Sequence, residues 1–195
     1  MNQTSPKELL FVTWNQNKVN EASTYLPGYT INKAWVEVPE IQSVDVTKVI
    51  KSKLYSAFQQ TWNPCFVMDA SLVINWLCNQ ESDIKTFPWA LIKDVFQWMW
   101  DLNITRLVNI TNDTKCLWTS MLWYYDWSRE HYFKESLFGV IASEPRGNNW
   151  YDRDTIFMPI WENRTFAEMS PEEKQSYALT SKLYWQFSDF LSKNQ

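Results

Sequence analysis

The stretch FVTWNQNKVNEA, Phe11 to Ala22, decides how this chain begins to fold. The apolar run ELLFVT suits a buried strand, and Val19, Ala22 and Leu26 beyond it recur at helical spacing. Between them TWNQNK makes the turn from strand to helix. Such a turn points unpaired backbone N–H groups outward, and the helix dipole and Lys18 add positive potential. Phosphate suits that turn, although an ordinary strand-to-helix turn with an exposed lysine has the same spacing. Trp14 is the misfit, because a backbone pressed against phosphate leaves no room for a side chain.

Working outward, YTINKAWVEV reads as a second strand. DVTKVIKSKLYSAF reads as an amphipathic helix with Val46, Val49, Ile50, Leu54, Ala57 and Phe58 on one face and its lysines mostly on the other. CFVMDASLVI is a further buried strand, NWLCNQESDIKTFPW is loop-like, and ALIKDVFQWMW is helical. From TKCLWTSMLWYYDW through HYFKESLFGVIAS, aromatic and β-branched residues partly alternate, which predicts an antiparallel hairpin or meander. The final SPEEKQSYALTSKLYWQFSDFL predicts a helix. Ser170 is its N-cap, Pro171 stands at the first helical position, Glu173 completes a capping box, and Leu179, Leu183, Phe187 and Leu191 form an apolar stripe.

Composition narrows the function. A chain of 195 residues, 45% hydrophobic, is long enough for one sizeable core, and no linker or internal repeat divides it. The net charge of −4 argues against nonspecific nucleic-acid binding, which needs a positive surface. The N-terminus lacks the basic and apolar segments of a signal peptide, and no apolar run reaches the roughly 18 residues of a membrane span, so a cytoplasmic protein without membrane partners is expected. Cys65, Cys78 and Cys116 form no C-x-x-C pair and read as buried free thiols. His131 is the only histidine, which excludes a multi-histidine metal centre and reads as a plain strand residue. Glu40 in VPEIQ and Asp69 in FVMDAS each end a predicted strand. Carboxylates so placed can meet around Mg²⁺, with substrate phosphates completing its shell.

The ordered set FVTWNQNKVNEA, VPEIQSVDVTKVIKSKLYSAF, PCFVMDASLVIN, FPWALIK, FGVIASEPRG, YDRDTIFMP and RTFAEMSPEEK resembles the inosine triphosphate pyrophosphatase, or Ham1-like, family over nearly the whole chain. The resemblance implies one α/β domain over residues 1–195. Its fold would be an elongated central mixed sheet flanked by helices, with two lobes around an active-site cleft, assembled as a homodimer. It also implies Mg²⁺-dependent hydrolysis of the non-standard purine nucleotides ITP, dITP and XTP to the monophosphate and pyrophosphate, an activity that cleanses the nucleotide pool.

Residue by residue, the resemblance gives Thr13, Asn15 and Lys18 to the triphosphate, with Lys18 also catalytic, and Glu40 to the metal. Asp69 would bind metal and orient the attacking water. Lys93 would lie near the phosphates, Tyr151 would stack on the purine beside Asp152, and Lys174 matches the lysine after FAEM. The chain departs from the family in two places. The Ser-His-Arg element that reads the purine 6-keto group is missing from SYALTSK, where Ser176 and Ser181 are the only serine matches, and Met68 replaces an acidic residue before Asp69. A nucleotide-binding scaffold without turnover and a pyrophosphatase of altered base preference are therefore alternatives.

The chain has 13 Trp and only 3 Gly, whereas about 7% usage predicts roughly 14 glycines. Trp14, Trp89 and Trp150 stand at glycine positions of the family pattern, and Trp127 and Trp161 fall in turns that favour glycine. A gene whose UGA codons mean glycine, but are read as tryptophan, accounts for both imbalances at once; real tryptophans in a diverged, inactive protein are the alternative. Trp185, inside the last helix, is compatible with a real tryptophan.

Overall fold

The computed structural model describes residues 7–39, 41, 43, 45–75, 88–89, 92–148 and 153–194, with backbone alone at 46, 88–89 and 92–98. Strand β1 (Lys7–Phe11) leads through a turn into helix α1 (Gln16–Tyr25), as the opening stretch predicts. Strand β2 (Tyr29–Lys33) pairs parallel to β1, and helix α2 (Val46–Thr61) crosses over to β3 (Cys65–Ile74), which pairs parallel to β1 on its other side. The parallel neighbours of β1 thus lie on opposite flanks. In open α/β sheets ligands bind outside the carboxyl ends of strands where the order reverses in this way.

The second half is antiparallel. After β4 (Pro88–Trp89) and helix α3 (Ile92–Thr111) come β5 (Lys115–Tyr125), β6 (Glu130–Ile141) and β7 (Phe157–Pro159). The mixed sheet runs β2-β1-β3-β5-β6-β7, with β4 pairing β3 at Leu72 and Val73. A 3₁₀ turn (Phe166–Glu168) and helices α4 (Pro171–Gln175) and α5 (Leu179–Lys193) close the chain. No described helix is long and apolar enough to cross a membrane.

Alternation along the strands sorts the core into layers. Phe66 and Met68 of β3, with Leu122 and Tyr124 of β5, pack against α1 and α5 through Val19, Ala22, Leu183, Tyr184 and Phe187. Cys65 and Val67, with Met121 and Trp123, face the other way onto Ile50, Leu54 and Ala57 of α2. A third cluster joins the far ends of β3 and β5 to Ile104 and Val108 of α3 and to Phe157 and Phe166. The Cys65 and Cys116 thiols are free and buried, and burial pushes Cys65 up to about 12, far from a nucleophile; Cys78 lies outside the described residues. His131 is a strand residue whose Nε2 meets Asp126 Oδ2 at 2.5 Å.

Several sequence expectations are corrected. Asp69, read as ending a strand, lies inside β3, because β5 goes on pairing with β3 as far as Ile74, and the stretch read as loop-like up to Trp89 ends in β4. The strand drawn as YTINKAWVEV stops at Lys33, because β1 has run out: Ala34 N–H already reaches the last β1 carbonyl, Phe11 O, at 2.8 Å. The single C-terminal helix is two. Ser170 caps α4 and the Ser170–Glu173 capping box forms, but the amides of Ser176, Tyr177 and Ala178 tighten into i→i+3 bonds and Ala178 turns extended at ψ 113. Tyr177 causes the break through tertiary contacts, since its hydroxyl donates to Glu162 Oε1 at 2.7 Å and its ring packs against Phe166. The apolar stripe from Leu179 to Leu191 is buried as expected.

Candidate active site

The turn after β1 is built by its own side chains. Asn15 caps α1, its side-chain oxygen accepting the Asn17 amide at 2.9 Å, and Thr13 Oγ1 accepts the Asn15 amide at 3.1 Å. These bonds fix the first turn so that the positive end of α1 opens beyond β1. Lys18, one turn into α1, donates from Nζ to the Met68 carbonyl oxygen at 3.2 Å. It is held from behind by α5, where the Tyr184 hydroxyl meets the Lys18 carbonyl at 3.5 Å. Tyr184 is fully buried, and that burial raises its hydroxyl far above the ordinary range, so it is a strut and not an acid.

Asp69 follows Met68 in β3, and strand parity decides what it meets. It shares a face with Cys65 and Val67, the face covered by α2. There Lys53 Nζ lies 3.0 Å from Asp69 Oδ2, while Asp69 Oδ1 accepts the Ala70 amide at 3.0 Å. Both members of the pair are partly buried, with side chains 19% (Lys53) and 31% (Asp69) exposed, which leaves the carboxylate reachable. Met68 points to the opposite face, into the core under α1 and α5, where an apolar side chain packs and an acidic one would need a partner.

Thr13, Asn15, Lys18 and Asp69 are therefore brought to one region beyond the carboxyl end of β1, with Asp69 in mid-β3, and Lys53 joins them. Sequence reading assigned the α2 lysines to solvent and missed it. Its signal lay in position, three residues after Ile50 and one before Leu54, on the border of the buried stripe. Lys174 belongs to a different group: its Nζ pairs with Asp154 and lies 5.6 Å from the centre of the Phe166 ring. Asp154 is 1% exposed, a buried carboxylate two positions beyond Asp152 that sequence reading passed over. Glu40, Tyr151 and Asp152 lie outside the described residues, as does the side chain of Lys93, whose backbone is the second residue of α3. Ser176 and Ser181 donate to their own helix ends, at Glu173 O and Ala178 O.

A divalent cation is testable against this donor set. Mg²⁺ is held through one or two carboxylates with phosphate oxygens and waters completing an octahedron. Asp69 offers hard oxygens, each retaining a lone pair beside its present partner, and so fits as one such ligand with substrate present. Among the described residues no group of three or more His, Cys, Asp or Glu could hold a metal alone.

Comparison with known proteins places this geometry. The Ham1 family model matches residues 9–183. A dITP/XTP pyrophosphatase of Thermococcus kodakarensis is 31% identical over 188 residues, covering 95% of this chain and 98% of that protein. An inosine triphosphate pyrophosphatase of Kluyveromyces lactis is 25% identical over 193 residues, covering 94% and 95%. Among solved structures, a HAM1 protein from Coxiella burnetii superposes with a TM-score of 0.80 at 20% identity, covering 96% of this chain and 99% of that one. The Ham1 protein of Staphylococcus aureus gives 0.75 at 19% identity, covering 97% and 100%. The turn after β1, with Lys18, Lys53 and Asp69 on the neighbouring elements, thus sits in a fold shared from end to end with these proteins, and the chain belongs to the Ham1 family.

Proposed function

We propose that the chain is a nucleoside triphosphate pyrophosphatase that hydrolyses ITP, dITP and XTP to the monophosphate and pyrophosphate. The carrying observation is the arrangement of Lys18 on the Met68 carbonyl and Lys53 on the adjoining Asp69 carboxylate, beside the open N-terminus of α1. The activities named for the relatives from Thermococcus kodakarensis and Kluyveromyces lactis support it.

Phosphoryl transfer asks a protein mainly for positioning and charge neutralisation. The α1 amides, with Thr13 and Asn15, hold the phosphate chain, and Lys18 and Lys53 offset the charge that builds on it. Asp69 aligns the attacking water and accepts its proton. Mg²⁺, held by Asp69 and Glu40 with the substrate phosphates, would supply Lewis-acid polarisation of the phosphoryl oxygens. Lys93 completes the phosphate contacts, Tyr151 and Asp152 receive the base, and Lys174 lines the same pocket. The working unit is one domain, residues 1–195, paired as a homodimer in the cytoplasm.

A pyrophosphatase of altered base preference is the second reading, and Ser176 and Ser181 favour it because both hydroxyls are taken up by their own helix ends. The test is pyrophosphate release in Mg²⁺ from ITP, dITP, XTP, dATP and dGTP. Preference for the first three is expected. Turnover without that preference would establish the second reading, and nucleotide binding without release of pyrophosphate would overturn the hydrolase.

A further inference from the structure

The tryptophans with described side chains fall into two groups. Trp123 is 5% exposed and stacks on Tyr132, and Trp118 packs edge-on against Phe157. The others, Trp14, Trp35, Trp62, Trp100, Trp127, Trp161 and Trp185, are all at least 57% exposed. Phenylalanine in the same chain behaves as a large apolar residue should, with Phe138 alone among the exposed large hydrophobics of the described residues.

Backbone conformation sharpens the split. Among the described residues, four that are not glycine have positive φ: Trp62 at 51°, Trp100 at 53°, Asn112 at 57° and Trp127 at 81°. Asparagine tolerates the left-handed region; tryptophan is an outlier there. The three tryptophans occupy three unrelated structures, each with its own demand for glycine. Trp62 ends α2 in the left-handed conformation, its N–H returning to Phe58 O, where helices usually place glycine. Trp127 follows Asp126 in the turn between β5 and β6, the place of the Asp-Gly hairpin signal. Trp100 interrupts α3 at φ 53°, ψ 151°, bordering a region that only glycine commonly enters.

We propose that residues 62, 100 and 127 are glycine in the protein made by its own cells, through UGA codons which those cells read as glycine. One cause then explains three strained turns, the exposed indoles and the scarcity of glycine. A code in which UGA means tryptophan would merge such codons with UGG, and only the fold separates them again. Positions 118 and 123, packed and at ordinary φ, are assigned to UGG and to true tryptophan. Trp14 and Trp161 have ordinary φ and are not assigned by conformation.

The experiment is codon sequencing together with peptide mass spectrometry of the protein purified from its native cells. UGA and a glycine mass at 62, 100 and 127 are expected, with UGG and a tryptophan mass at 118 and 123. UGG at any of the first three positions, or a tryptophan mass in the native peptide, overturns the proposal. A second readout uses the chain carrying tryptophan throughout, against the triple variant Trp62→Gly, Trp100→Gly, Trp127→Gly. The variant should melt several degrees higher, and an unchanged or lower melting temperature would overturn the conformational basis. Both readouts are independent of the hydrolase assignment.

Discussion

Two of the turns in which a tryptophan follows a polar residue differ in kind. Thr13–Asn15 joins β1 to α1, and its polar side chains satisfy one another locally while the helix N-terminus stays open. Asp126–Arg129 joins β5 to β6 and is closed: Asp126 Oδ1 accepts from the Ser128 amide, the Ser128 hydroxyl and the Arg129 amide. Trp14 in the open turn is not among the residues with positive φ, whereas Trp127 in the closed one has φ 81°. Glycine is wanted at both places for different reasons. At 127 the backbone itself is left-handed; at 14 the objection is an indole, 63% exposed, standing where the proposed phosphate chain would approach.

The largest effect that tests the contrast is on turnover. Asp69→Asn should lower kcat by about 10²–10⁴-fold, the usual contribution of a positioned base, while melting changes little because the side chain is reachable by water. Asp126→Asn, the same chemical change beside the closed turn, should leave kcat for ITP unaltered. Steady-state kinetics on both variants settles it, and a comparable loss in Asp126→Asn would erase the functional difference between the two turns.

Lys18→Met comes next. Hydrogen bonds to charged groups contribute about 1.5–3 kcal/mol, so kcat/KM should fall roughly 10–100-fold. Lys53→Met should fall in the same range if both cations face the phosphates. A loss confined to thermal stability would make Lys53 only the structural partner of Asp69.

Much of this was legible from residue order. The strand, turn and helix at the N-terminus, the α2 stripe and the α5 stripe follow from periodicity, because each element buries one face and the pattern records which. Lys53 was not legible, since a lysine bordering an apolar stripe looks solvent-exposed until the parity of β3 brings Asp69 beneath it. The division of the last helix was hidden for a similar reason: Tyr177 breaks it through Glu162 and Phe166, partners that local propensity does not know. Turn residues Trp127 and Trp14 were flagged from context, but Trp62 and Trp100 were not, because only the traced backbone shows their positive φ.

A smaller effect separates the two tryptophans directly. A left-handed residue stores about 1–3 kcal/mol, against roughly 0.4–1 kcal/mol of unfolded-chain entropy that glycine adds. Trp127→Gly should therefore stabilise by about 1 kcal/mol, a rise in Tm of about 2–4 °C for a chain of this size. Trp14→Gly relieves no strain, so its Tm should stay level or fall slightly while ITP turnover rises. Calorimetry and kinetics on the two single variants distinguish the cases, and a reversed assignment would mean that the open turn is the strained one.

The smallest effect is on acid stability and belongs to the closed turn. Burial pushes the Asp126 carboxyl up, but hydrogen bonds from His131, the Ser128 hydroxyl and the Ser128 and Arg129 amides outweigh it and hold the group well below the usual carboxylate range. A carboxyl depressed in the folded state stabilises fully above its unfolded pKa, about 3.9, and loses that contribution as pH falls through the folded value. The parent chain should therefore melt above Asp126→Asn at pH 6, and the gap should narrow steadily as the pH drops below about 4. Because the same carboxylate orders the turn that residue 127 strains, Asp126→Asn should also shrink the gain from Trp127→Gly when the two are combined. Additive effects would show that the turn's backbone, and not its hydrogen bonds, sets φ at 127; melting curves of the two single variants and the double, from about pH 3 to 6, supply both answers.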